Sequence, residues 1–191
     1  MKCRNCKQTL TNPARRPFEV WCSSDCAVAI WRAKEDKKQA QEARRTAQET
    51  RKRKEALKTR KEWMADALRA FCAWVRKRDE GKPCISCGTH GGQRHGGHFR
   101  DTFHYASLAF EPDGCWAQCA QCNAPPPMGK GGNLINYRLG LIGRIGEDRV
   151  KELESHQPTK KYTIPELQAI RDLYRARLKV SPTVPTDFGA D

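Results

Sequence analysis

The apolar residues of this chain fall in a few short periodic stretches separated by long polar ones. Trp63, Ala67, Phe71, Trp74 and Val75, with Arg78, recur at helical spacing, so residues 63–78 predict a helix with one apolar face. Leu134 to about Glu154 reads as helix interrupted near Gly143 and Gly146. Thr163-Ile164-Pro165-Glu166 is a capping box with proline in the first turn. A last helix should therefore run to about Lys179, with Leu167, Ile170, Leu173, Tyr174 and Leu178 as its apolar face. Residues 32–62 contain no Gly or Pro and are dense in Lys, Arg, Glu, Gln and Ala, which favour helix. They carry no apolar seam, so a coiled coil is unsupported. A charged spacer and a DNA-contacting arm are equal readings of this basic helix. The tail from Ser181, with Pro182 and Pro185, predicts disorder.

Composition narrows the class. The 191 residues carry a formal net charge of +14, and only 38% are apolar. A mean hydropathy of −0.83 is low for one compact globule, so part of the chain is expected to be exposed. No apolar run approaches the ~20 residues that span a bilayer. Met1-Lys2-Cys3-Arg4 opens no signal-peptide apolar segment. The expectation is a soluble cytoplasmic protein with no membrane partner. The positive charge points to a polyanion, and nucleic acid gains most from counterion release.

Cysteine spacing changes the picture most. Eight of ten cysteines fall in close pairs. In a reducing compartment such pairs read as zinc ligands, not disulfides. Cys3-x-x-Cys6 and Cys22-x-x-x-Cys26 make one four-thiolate set; Cys84-x-x-Cys87 and Cys119-x-x-Cys122 make another. Residues 1–31 thus form a zinc-knuckle unit. A knuckle, a hairpin and a second knuckle opening a helix at Ser23-Ser24 resemble a treble-clef finger. The unit is too small for its own core, so metal would supply its folding energy. Lys2, Arg4, Lys7, Arg15 and Arg16 offer it a contact surface. Residues 63–180 hold the second set, whose knuckles would bracket a hairpin. The fold class is α+β and mainly helical: N-terminal finger, long charged helix, zinc module and C-terminal helices.

The loop between the second knuckles carries His90, His95, His98 and His104. Four thiolates already close a structural zinc shell, so these histidines suggest chemistry nearby. Pro83-Cys84-Ile85-Ser86-Cys87-Gly88, Gly97-His98-Phe99-Arg100, Gln118-Cys119-Ala120-Gln121-Cys122-Asn123 and Gly132-Asn133-Leu134 resemble the phage NinG (Rap) recombination endonucleases. Arg76-Lys77-Arg78-Asp79 and Tyr137-Arg138 fit as well, and the resemblance covers nearly the whole chain. More broadly, the central module is similar to cysteine-bearing HNH nucleases of the endonuclease VII type. The resemblance implies a ββα-metal core and a structure-specific nuclease for branched recombination intermediates, junctions and D-loops. It also implies that His98 is the general base and Asn123 a ligand of a catalytic divalent cation, Mg²⁺ or Mn²⁺. Where many HNH enzymes place Asp or His before the base, this chain has Gly97. His95, Asp101, Asp113 and Asn133 are the candidates for the remaining ligands. His90, His95 and His104 otherwise read as polar loop residues or phosphate contacts.

Two readings follow from different classes. One is a metal-dependent DNA endonuclease, with branched DNA, other recombination proteins and a second copy of the chain as its partners. The other is a non-catalytic zinc protein that binds DNA structure or a recombination partner. A transcription regulator is disfavoured, because no helix-turn-helix or base-reading finger pattern occurs.

Overall fold

The computed structural model describes residues 1–11, 16, 18–155 and 159–180. The tail from Ser181 lies outside the described residues. The chain divides into two compact units, Met1–Lys58 and Thr59–Asp191.

In the first unit the Cys3 knuckle is a tight turn. The Cys3 N–H donates to Gln8 O at 2.8 Å, and Lys2 bridges Thr9 in antiparallel fashion. Lys7 takes a left-handed φ of 65° to close that turn. The Arg4 N–H donates to Val20 O at 2.8 Å, which brings the chain before the second knuckle back beside the first. The described residues between the knuckles form no strand pair; the expected hairpin includes residues 12–15 and 17, which are outside the described ones. Helix α1 runs from Ser24–Ala56, and the Ser23 side chain caps it by accepting from the Cys26 N–H. Of its residues only Cys26 is buried, as the missing apolar seam requires.

The expected boundary at residue 62 shifts. Leu57 ends α1, and a capping box between Thr59 and Glu62 starts α2 at Arg60–Arg78. Reciprocal bonds from Thr59 and Glu62 satisfy two end-of-helix donors. The second unit continues with β1 (Arg94–His98), β2 (Cys115–Cys119), α3 (Ala120–Asn123), α4 (Leu134–Ile145), α5 (Glu147–Glu154) and α6 (Ile164–Lys179). Gly146 alone separates α4 from α5, and Gly143 sits within α4. In α6, Leu167 and Tyr174 are buried as expected, whereas Leu173 is exposed.

The two strands pair antiparallel, Arg94 opposite Cys119 and His98 opposite Cys115. Side chains alternate across such a pair, so Gly96, His98, Cys115 and Ala117 share one face, and His95, Gly97, Trp116 and Gln118 the other. The first face packs on α2 and α6, through Ala70, Phe71, Val75, Cys115 and Tyr174. The second faces Ile85, Phe99, Tyr137, Leu141, Val150 and Leu153, which draw in α4 and α5. The Tyr137 hydroxyl donates to Gly97 O at 2.6 Å and accepts from the Trp116 N–H at 2.9 Å, joining both strands to α4.

Candidate metal centres and active site

Each cysteine tetrad comes together. Cys3, Cys6, Cys22 and Cys26 form one cluster, and Cys84, Cys87, Cys119 and Cys122 the other; within each, all sulfurs lie within 4.8 Å of one another. Cys6–Cys22 and Cys22–Cys26 approach to 3.3 and 3.5 Å, and Cys87–Cys119 to 3.7 Å. Zinc with four sulfurs at ~2.3 Å sets them ~3.8 Å apart, so both sets could hold structural zinc. Donors already point at the sulfurs. The Asn5 amide reaches Cys26 and the Asn133 amide reaches Cys122, each at 3.4 Å. Hydrogen bonds led by the Thr89 side chain hold the Cys87 thiol down to about 6, toward the thiolate that zinc takes. The second tetrad fastens the end of β2 and helix α3 to the turn after α2, at the Arg94–Cys119 end of the hairpin.

His98 ends β1 against α2. Its Nε2 lies 3.0 Å from Ala109 O. A carbonyl only accepts, so Nε2 carries the proton and Nδ1 is the ring's acceptor. Burial holds the His98 pKa below its ordinary 6.5, against the opposing pull of the Ala109 carbonyl. The ring is therefore neutral at pH 7. It packs on Phe71 with centroids 5.8 Å apart, and one of its nitrogens clusters with the Cys72 and Cys115 sulfurs within 4.8 Å. Cys115 is fully buried, and that burial pushes its thiol well above the usual range.

The other sheet face accounts for Gly97. A Cβ there would stand 2.4 Å from Gln118 Oε1 and 3.2 Å from Asn123 Oδ1. The space that a ligand side chain would fill at position 97 is thus taken by two amide oxygens. Gln118 is fully buried, and its amide nitrogen donates to Ser86 Oγ at 2.8 Å and to Gly132 O. Those bonds fix which end of the amide faces Gly97. Gln118 Oε1 is left buried without a partner among the described residues, and so is Nε2 of His95, the residue directly opposite Gln118. Amide-oxygen and imidazole donors are of the kind a hard divalent cation takes while keeping waters in its remaining positions.

The other candidates have different occupations. Asp113 pairs with Arg149 at 2.9 Å, Asp101 binds His104, and Asn133 serves the Cys122 sulfur. His90 is exposed. Gln118 escaped the sequence reading, because its meaning depends on the strand register and on a bare glycine two residues beyond its partner.

A family model described as Bacteriophage Lambda NinG protein matches residues 1–182. The chain belongs to the NinG family. Protein ninG of Escherichia phage lambda is 40% identical over 171 residues, which is 83% of this chain and 82% of that protein. Protein ninG of Salmonella phage P22 is 39% identical over 171 residues, with the same coverage. No solved structure matches the chain. The NinG match takes in both tetrads, His98 and the Gly97–Gln118–Asn123 face. No helix among the described residues is long and apolar enough to cross a membrane.

Proposed function

We propose that this NinG-family protein is a metal-dependent DNA endonuclease with an HNH-like core, acting on branched DNA. One observation carries the reading. At the end of the first strand of a β-hairpin bracketed by a cysteine tetrad, a neutral histidine has its Nε2–H committed to a carbonyl, and the residue before it, Gly97, faces two amide oxygens. The order β1, β2, α3, with Asn123 closing α3, supports the ββα comparison.

The chemistry divides between the two residues. As the candidate base, His98 would accept the attacking water's proton at Nδ1, from the sheet face opposite Gly97, and the Ala109 carbonyl would steady the imidazolium. Asn123 Oδ1, Gln118 Oε1 and His95 Nε2 would hold the divalent cation, which supplies positive charge for the pentavalent phosphate and the leaving 3′-oxygen. The cysteine tetrads have no open position and serve as scaffold. A +14 chain without a base-reading element supports recognition of backbone shape over sequence.

The non-catalytic reading has its own observation. His98 lies beside Cys72 and Cys115, a set that could ligate a third soft metal and so occupy the ring. One experiment separates the two. Purified protein is incubated with a four-way junction, with and without Mg²⁺ or Mn²⁺, and its zinc content is measured. The endonuclease reading expects two zincs, cation-dependent cutting, and a loss of about 10²–10⁴-fold in His98→Ala with junction binding retained. Three zincs, with binding but no cutting under either cation, would establish the other.

A further inference from the structure

A groove in the second unit has the chemistry of a single-strand binding site. Its volume is about 650 Å³. Arg60 and Lys61 of α2 line it on one side, Lys160 and Lys161 before α6 on another, and Thr102 and Phe103 of the loop after β1 on a third. Met64, Ala65, Leu68, Ala106 and Tyr162 make the apolar floor, and no acidic residue is among the described ones lining it. Phe103 is 85% exposed, and among the described residues its one recorded ring contact is with His104, so leaving it in water is costly. Its loop is held in place: Asp101 accepts from the Phe103 N–H at 2.9 Å and also binds His104. Arg60 and Lys61 occupy the first turn of α2, where cations oppose the helix dipole. An incoming anion relieves that repulsion.

From this geometry we infer that the groove takes an unpaired nucleic-acid strand. Its phosphates lie along Arg60, Lys61, Lys160 and Lys161, and a base stacks on Phe103. Cations flanking an exposed ring over an apolar floor are what unpaired strands use, because every base has a π-face and a duplex hides it. A run of packed rings connects the groove's Tyr162 to His98 through the core. Tyr162 meets Phe110 at 5.2 Å, Phe110 meets Phe71 at 5.9 Å, and Phe71 meets His98 at 5.8 Å between ring centroids. The inference rests on the nucleic-acid reading above and gives the branch preference a location.

Binding of labelled oligo-dT and of a blunt duplex is measured by anisotropy against salt, without added divalent cation, so that cutting plays no part. Phe103→Ala should weaken oligo-dT binding about fivefold or more and leave duplex binding unchanged. Lys160→Glu with Lys161→Glu should reduce the slope of log affinity against log salt by about 1.4. Unchanged oligo-dT affinity and slope, or an equal loss on duplex, overturns the inference. Poly-glutamate competing as well as oligo-dT overturns it in favour of an acidic peptide. Strand binding through this groove in a protein that never cuts would refute the endonuclease reading alone.

Discussion

At the residue scale, spacing made some positions legible and register hid others. The eight paired cysteines announce themselves, because short loops must present two sulfurs at once. His98 and Asn123 were legible only through the family resemblance. Gln118 and His95 are brought opposite each other by a cross-strand pairing that no local motif encodes. Their proposed role has a test free of turnover. Mn²⁺ affinity, read by electron paramagnetic resonance, should fall about 10–100-fold in His95→Ala and in Gln118→Leu, with zinc content unchanged. Gly97→Ala should do the same by driving a methyl against Gln118 Oε1, 2.4 Å from its Cβ. Wild-type affinity in all three variants would remove these residues from the cation site.

At the scale of elements, the helices were readable from their own pattern, whereas the hairpin was readable from the knuckle spacing and not from any strand pattern. Helices α2 and α6 follow apolar period and a capping box, and α4 and α5 follow apolar period with a break at Gly146. The Thr59–Glu62 box that divides α1 from α2 was hidden within an unbroken run of strong helix formers. Arg94-His95-Gly96-Gly97-His98 has neither β-branched residues nor clean alternation, and glycines weaken a strand. It forms because Gly96 lets α2 approach: a Cβ there would stand 2.8 Å from that of Cys72. Asp79 then joins helix to sheet. Its fully buried carboxylate accepts from Arg78 at 2.9 Å and from the Ala117 N–H at 3.0 Å. Arg78 in turn reaches Pro112 O and Cys115 O. Burial would raise the Asp79 pKa, but the Arg78 guanidinium and the Ala117 N–H hold it below the ordinary 3.8. A depressed carboxyl stabilises the fold above its unfolded value, and that contribution is lost as pH falls through the folded one. Asp79→Asn should therefore cost about 3–5 kcal/mol at pH 7 and remove this part of the acid sensitivity. Urea melts at neutral and acid pH check it; equal stability of variant and parent at pH 7 would refute the buried tie.

At the scale of the whole molecule, the two units depend on metal to different degrees. Among the described residues of Met1–Lys58, only Cys3 and Cys26 are buried, so nothing but a thiolate-bound ion could replace a core there. The second unit has three apolar clusters besides its tetrad. Removing one ligand should therefore act locally and unequally. In Cys6→Ser, the remaining thiols Cys3, Cys22 and Cys26 should become reactive to an alkylating agent under native conditions. Cys84, Cys87, Cys119 and Cys122 should stay protected, and cooperative melting of the second unit should persist. In Cys87→Ser the second tetrad should release its zinc and lower that unit's melting temperature, while the apolar clusters keep much of its helix. The first tetrad should remain closed. Mass-spectrometric mapping of the alkylated cysteines reads both variants. Exposure of all seven remaining tetrad thiols together in either one would show that the two metal centres fold as one, and that the division at Lys58 is not a thermodynamic one.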